Sequence, residues 1–519
     1  MAVQGEVETT YEAGLDLDLA TVLDRAVADV EGLSLSGEPE HRGLDATYFD
    51  TADLRLAQVG ITLRRRTGGD DAGWHLKIPH RTNEKVEKHV PLSAARHRVP
   101  APLRRLVGAR VLDQDLVPVA RIRTERDAYA ITGSEESPQA EVADDRVEAS
   151  RLGEGEDVEA VLVWREVEIE LTGGSTSVMD ELDRRVRARG LVPSQGAARS
   201  KLLRVLGDDV PAGPTPPSSP DATAAELVLH HLGDQVEQLR SFDPLVRMDR
   251  PDSVHTMRVA TRRLRSALKT FGPLLDPEQV VPLRAELAWL GGHLGPARDA
   301  EVMAARLRQL AQEEEPQSAA GRLALSCAGA MERHYSEHHR QARRAMDSAR
   351  YDALVRDLVA LTASPTFTSL AGRPSGEVLP ALVRRAFRTL KRTMPTALAE
   401  QQGAPSSEER DRLLHDARKK AKRVRYAAEA LIPAYGAPAA RMAADMEQVQ
   451  ADLGEHQDSV VLRGWLQQWA SEASAPEAFT LGRWDALEQR RGRDAEHRCT
   501  RSWATAGKKK RRRWLKSTG

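Results

Sequence analysis

Two cysteines, Cys327 and Cys499, are all that 519 residues contain, and they lie far apart without a Cys-x-x-Cys pair. So sparse a set excludes a disulfide framework and a cysteine-based zinc cluster, and it fits a reducing compartment. Long apolar runs are missing too: no stretch approaches the roughly 18 uncharged apolar residues that a membrane-spanning helix needs. The opening residues, MAVQGEVETT, are acidic and carry no apolar segment, so they do not read as a secretion signal. The expectation is a soluble, cytoplasmic protein. Net charge is nearly absent as well, at −1, but the two halves of the chain differ in sign. Residues 1–210 hold 39 Asp+Glu against 28 Lys+Arg, and the rest holds 38 against 48, giving −11 and +10. A basic half favours polyanions through long-range attraction and counterion release. An acidic half with embedded arginines is suited to divalent cations that bridge to phosphate.

The length exceeds what one hydrophobic core serves and predicts two or three domains. The boundary is legible in GDDVPAGPTPPSSPDA, where proline, glycine and small polar residues exclude a regular core element, so 208–221 reads as a linker. Upstream, ITLRRR (61–66), WHLKIP (74–79), VARIRTERDAYAI (119–131) and VLVWREVEIEL (161–171) alternate apolar and polar residues with the period of a strand. Downstream, 222–505 shows helical spacing interrupted by breakers such as GRPSGEVLP and QQGAPSSEE. The predicted fold is an N-terminal β domain over 1–207 and an all-α domain over 222–505.

The helical half contains an internal repeat. VHTMRVATRRLRSALKTF (254–271) resembles LHDARKKAKRVRYAAEAL (414–431), and LGPARDAEV (294–302) resembles LGEHQDSVV (453–461) at nearly the same offset. Two ordered matches at one spacing predict a duplicated helical bundle. In the first copy His255, Arg258, Arg262 and Arg265 fall at i, i+3, i+7 and i+10, one stripe of a helix; in the second His415, Arg418, Lys422 and Arg425 repeat it. Like charges at these spacings repel, so an isolated helix gains nothing from them and something anionic should compensate. Arginine forks grip phosphate oxygens, lysine adds a compact charge, and histidine near an anion becomes a further donor. A solvated face is the bland alternative, but it gives no reason to repeat His and Arg at the same places.

These motifs, HxxRVxxRRLR with LGxxRD and HxxRKKxKRxRY with LGxHQD, resemble the CHAD domain across about 222–505. The resemblance implies two four-helix halves around a basic groove and affinity for inorganic polyphosphate, with the eight stripe residues as ligands. Asp299 and Asp458 would orient them, and His456, without a histidine counterpart in the first copy, reads as a surface residue. The last segment, GKKKRRRWLK within 506–519, has a composition seen in disordered tails that stick to polyanions, and it would extend polyphosphate binding, contact nucleic acid or simply keep the protein soluble.

In the acidic half Glu6 and Glu8 alternate with Val7, and Glu166, Glu168 and Glu170 alternate with Val167, Ile169 and Leu171, so each carboxylate set shares one strand face. Crowded carboxylates repel unless protonated, paired or metal-bound, and their hard oxygens suit Mg2+ or Mn2+. Arg64 and Arg66, Lys77, and Arg121 and Arg123 alternate by the same rule and could clamp phosphate oxygens. A closed barrel pointing both sets inward would hold a triphosphate between a basic wall and acid-bound metal, set for in-line attack by a metal-activated water. Exposed cross-strand ion pairs are the bland alternative for any one strand.

The order EVETTY, TYFDT, LRRR, WHLKIP, ARIRTER, ADDR, WREVEIEL and ARSKLL resembles the CYTH domain of triphosphate tunnel metalloenzymes. It implies an eight-stranded closed tunnel, divalent metal, and inorganic tripolyphosphate or an organic triphosphate as substrate. Glu6, Glu8, Glu168 and Glu170, with Asp145 and Glu166, would then hold metal; Arg64, Arg66, Lys77, Arg121, Arg123 and Lys201, with Lys85, would hold phosphate. One position departs from the pattern: Thr10 stands where the family carries lysine. The expected function is a metal-dependent inorganic triphosphatase with a polyphosphate-binding module. The alternatives are a non-catalytic binder associated with polyphosphate granules and, less favoured, a nucleic-acid binder.

Overall fold

The computed structural model describes residues 8–69, 71–81, 84–92, 98–153, 158–195, 200–211, 217, 219, 221–399 and 407–516. The chain divides into two compact units, Met1–Gly213 and Pro214–Gly519. Glu6 lies outside the described residues, as do 517–519.

The first unit runs β1 (Glu8–Glu12), α1 (Leu19–Ala28), β2 (Ser34–Leu35), β3 (Glu40–Asp50), β4 (Thr62–Thr67), β5 (Gly73–Arg81), β6 (Glu84–Pro91), α2 (Ala101–Val111), β7 (Val117–Thr132), β8 (Pro138–Leu152), β9 (Val158–Leu171), α3 (Thr176–Arg187), β10 (Val192–Pro193) and α4 (Lys201–Leu206). The strands form one antiparallel sheet in the order β10-β1-β9-β8-β7-β3-β4-β5-β6, with β2 paired to β7. This corrects the expected eight-stranded closed barrel. Among the described residues there are ten strands, two of them only two residues long, and no backbone ladder joins β6 to β1 or β10. A side-chain contact spans those edges instead: Lys85 Nζ on β6 lies 2.8 Å from Glu8 Oε1 on β1.

Alternation along β9 sets the two faces of the sheet. Val167 and Ile169 turn outward and join Leu23 of α1, Leu182 of α3 and Tyr11 of β1 in an apolar core, which leaves Glu166, Glu168 and Glu170 on the concave side. One end of that side is covered by α4, whose Leu202, Val205 and Leu206 pack with Tyr48, Ile122, Val147 and Trp164. The loop between β1 and α1 is tied by a buried ion pair. Arg165 donates to both oxygens of Asp144 at 2.8 and 2.7 Å and, through Nη1, to the carbonyls of Gly14, Leu15 and Leu17. Arg165→Ala strands the buried Asp144 carboxylate and three carbonyl groups, and it should destabilise the sheet unit by about 3–5 kcal/mol in chemical denaturation.

The second unit is helical: α5 (Ala224–Arg247), α6 (Ser253–Thr270), α7 (Pro277–Glu313), α8 (Ala319–Met346), α9 (Ala349–Ala363), α10 (Ser375–Ala397), α11 (Ser407–Glu429), α12 (Ile432–Tyr435), α13 (Ala437–Ala470) and α14 (Ala475–Ala506). The duplication is visible in the packing. In the first half α6 packs between α5 and α7, which pairs with α8; in the second α11 packs between α10 and α13, which pairs with α14. The halves meet where α6 touches α11 and where Leu307 and Met331 share a core with Leu462, Leu466 and Trp484. None of the described helices is long and apolar enough to cross a membrane.

The basic C-terminal segment is docked, which corrects its reading as a disordered tail. Lys509–Leu515 forms a 3-10 turn with Leu515 buried, Trp514 against Tyr435, Arg512 over the Phe387 ring and Arg511 beside Asp445. The aromatic and leucine that follow the charges supply the apolar surface that holds it, while Lys508, Lys509, Lys510 and Arg513 stay exposed.

Candidate functional site

The concave side of the sheet encloses a cavity of about 690 Å3 whose lining comes from β1, β3 to β10 and α4. Its basic wall contains Arg64 and Arg66 of β4, Lys77 of β5 and Lys85 of β6, as alternation predicts. Arg64 Nη1 donates to the Tyr48 hydroxyl at 3.3 Å, and Arg66 pairs with Asp71. The Nε groups of Arg64 and Arg66 are buried without an acceptor among the described residues. Burial, and then the neighbouring Arg64 charge, pull the Arg66 guanidinium below its ordinary range despite Asp71. Lys77 lies 3.4 Å from Glu87, and the charges of Tyr48, Glu87 and Glu168 raise Arg64 against the effect of burial, so the wall mixes cations with a few carboxylates.

Opposite stand the carboxylates. Asp145, Glu166 and Glu168 each offer an oxygen within 4.8 Å of the others, and Asp145 and Glu166 are fully buried. Glu8 and Glu170, paired across β1 and β9, line the same cavity. Lys201, the first residue of α4, places Nζ 2.9 Å from Asp145, 2.5 Å from Glu166 and 2.7 Å from Glu168. Arg126 grips Asp145 with two hydrogen bonds of 2.7 Å and reaches Glu168 at 2.8 Å. Burial alone would raise the Glu168 carboxyl, but Lys201 and then Arg126 hold it well below the usual carboxylate range. Burial pushes Glu166 upward against the pull of the same lysine. Three hard oxygen donors converging on one point, already accepting a cation there, fit a divalent metal such as Mg2+ or Mn2+.

Two assignments made from sequence fall on the wrong face. Ile122, Thr124 and Arg126 of β7 turn into the cavity, so Arg121 and Arg123 turn away from it. Arg121 pairs with Asp45, and Arg123 lies 3.8 Å from Asp45 and 3.5 Å from Glu148, on the outer surface. The residue missed was Arg126, and Arg42 of β3 and Glu141 of β8 join it in the lining. The signal was present in RIRTER: its 121, 123 and 125 positions form an unbroken charged stripe, the mark of a solvated face. Lys201 is in the cavity as expected, but it is held by the acids rather than aligned with the basic wall.

In the helical unit, α6 and α11 bring Arg258, Arg262, Arg418 and Lys422 within electrostatic range of one another. The carboxylates nearby are few: Asp299 lies 3.1 Å from Arg258, and Asp458 stands beside Arg418. Gly295 and Gly454, equivalent in the two copies, leave room for these guanidinium groups; a Cβ at Gly454 would sit 3.0 Å from Arg418 Nη2. Burial, and then Arg298 near His255 and Lys419 near His415, lower both imidazoles. Arg425 departs from the predicted stripe, turned to Glu429 at 2.7 Å and Glu447 at 2.8 Å. Arg265 joins instead a second cationic group with Lys269, Arg284 and Arg423. His456 is not a surface residue: it is buried between Asp411 and Glu496, whose charges raise it against the effect of burial.

Burial and the charges of Arg418, Arg262 and Arg258 push Lys422 from near 10.5 down to about 6. Between those values the unfolded chain binds a proton that the folded one does not, so the anion-free unit gains stability as pH rises through that window. A bound anion would restore the proton, with His255 and His415 contributing in the same direction. Polyanion binding near pH 7.5 should therefore take up about one proton or more and strengthen toward about pH 6. Calorimetry in buffers of different ionisation enthalpy reads the uptake, and Lys422→Arg should reduce it.

Comparison with known proteins gives two family-model matches, the CYTH domain over residues 24–190 and the CHAD domain over residues 230–467. The uncharacterized protein MT2285 of Mycobacterium tuberculosis is 37% identical over 456 residues, 85% of each chain. Among solved structures, PptA from Streptomyces chartreusis is 19% identical with a TM-score of 0.47, covering 55% of this chain and 100% of that one. The CHAD domain of the plant Ricinus communis is 24% identical with a TM-score of 0.40, covering 55% and 96%.

Proposed function

From the premise that this chain belongs to the proteins joining a CYTH domain to a CHAD domain, we propose that it is a divalent-metal-dependent inorganic triphosphatase whose helical unit holds longer polyphosphate. The observation that carries the reading is a cavity lined by Arg64, Arg66, Lys77 and Lys85 together with Glu8, Glu168 and Glu170, with Glu168 converging on the buried Asp145 and Glu166 behind it. Asp145, Glu166 and Glu168 would hold Mg2+ or Mn2+, with Glu8 and Glu170 in the same cavity lining as Glu168. The metal supplies charge neutralisation on phosphate oxygens and a more acidic water. Arg64, Arg66, Lys77 and Arg126 bind and orient the phosphate chain, stabilising charge on its oxygens as the anhydride bond breaks. The apolar face of α4 keeps bulk water from one end of the cavity. In the helical unit Arg258, Arg262, Arg418 and Lys422 would hold polyphosphate and raise the local concentration of substrate, with association to polyphosphate granules as the cellular consequence.

Purified full-length protein should release orthophosphate from tripolyphosphate only with Mg2+ or Mn2+. No release across divalent metals and pH would discard catalysis and leave the second reading, a non-catalytic polyphosphate binder. Thr10 favours that second reading, because it lines the cavity where the family pattern has a lysine and offers no charge.

A further inference from the structure

Lys201 occupies the point toward which the carboxylates converge. Its Nζ lies within 2.9 Å of Asp145, Glu166 and Glu168 together, closer than a divalent cation bound to the same oxygens could tolerate. Arg126 is fixed from one side by its two bonds to Asp145, but Lys201 reaches the trio on a flexible four-carbon stem. The helix that carries it is anchored independently through Leu202, Val205 and Leu206, so the amine can leave without the backbone moving. Lys201 also lines the cavity that Arg64, Arg66 and Lys77 line, so a released amine stays in the same basic enclosure.

We propose that Lys201 is a displaceable counter-ion: it neutralises the carboxylates until a divalent cation takes its place, and the released amine then becomes a ligand for the phosphate chain. This rests on the triphosphate reading of the cavity and adds a coupling to it. A bound phosphate chain gives the amine a new partner, so it lowers the cost of expelling Lys201 and tightens metal binding. By linkage the metal tightens phosphate binding by the same factor.

The test measures Mn2+ binding to the full-length protein by calorimetry or spin resonance, with and without imidotriphosphate, a non-hydrolysable tripolyphosphate. Wild type should bind Mn2+ more tightly when imidotriphosphate is present. Lys201→Met should bind Mn2+ alone about 10-fold more tightly than wild type, and lose most of that coupling. Equal or weaker Mn2+ binding by Lys201→Met, or unchanged coupling, overturns the proposal while the triphosphate reading stands. A wild type that binds neither Mn2+ nor imidotriphosphate overturns both. Should the variant fold poorly, amine labelling of the unmodified chain decides: Lys201 should become more reactive with Mn2+ alone and be protected again by imidotriphosphate, and reactivity that ignores Mn2+ overturns the exchange.

Discussion

Replacing Glu168 by Gln should lower metal-dependent release of orthophosphate from tripolyphosphate by about 10³-fold or more, while the sheet unit stays folded. Glu168 is the carboxylate on which the opposing charges of the cavity meet: it accepts from Lys201 and Arg126, and the Lys77 charge also acts on it. Glutamine keeps the shape and an acceptor oxygen but removes the charge, so any cation shared with Asp145 and Glu166 loses a hard anionic donor. Phosphate grip by Arg64, Arg66 and Lys77 is left in place. The loss should therefore fall on kcat and metal affinity more than on tripolyphosphate KM. The held-down carboxyl also contributes stability at neutral pH that fades as acidity protonates it, a contribution the Gln variant lacks at every pH. A variant that keeps more than about a tenth of wild-type turnover at saturating metal would remove Glu168 from the site.

The double variant Arg258→Ala, Arg418→Ala should weaken long-chain polyphosphate binding by about 10²-fold or more, with a shallower dependence on salt. Each arginine offers a forked donor to phosphate oxygens, and the two copies of the repeat bring both to one place. In the free protein these groups repel Arg262 and Lys422 but also pair with Asp299 and Asp458, so the effects on stability oppose one another while the pressure on Lys422 is partly relieved. Structural arginines would behave oppositely, with a large fall in melting temperature and unchanged affinity. Competition against DNA at matched charge separates a phosphate-chain site from a general polyanion surface, because only the former should prefer polyphosphate.

Much of this was readable from residue order. The strand-to-helix change and the duplication follow from composition and period, and β9 declares its two faces because Val167 and Ile169 alternate with Glu166, Glu168 and Glu170. The eight histidine, arginine and lysine positions of the repeat are likewise periodic, and six of them keep to the neighbourhoods expected of the stripe. Arg425 is drawn off by Glu429 and Glu447, and Arg265 faces Lys269, Arg284 and Arg423, because a helical stripe says which residues align but not what the neighbouring helix brings to them. The docked C-terminal turn was concealed by its charges, since Leu515 and Trp514 find apolar partners only after α10 and α13 are in place.

By itself the sequence determined that there are two units, that one is a sheet and the other a duplicated helical bundle, and that carboxylates and cations occur in face-sharing sets. These are local properties, fixed by periods of two and 3.6 residues and by breakers. Only the tertiary structure decided which face of β7 looks inward, exchanging Arg121 and Arg123 for Arg126, and that Lys201 sits among Asp145, Glu166 and Glu168. Alternation groups side chains without stating which group is enclosed. That depends on strand register and on the helix that covers the sheet, and both are settled by residues far apart in the chain.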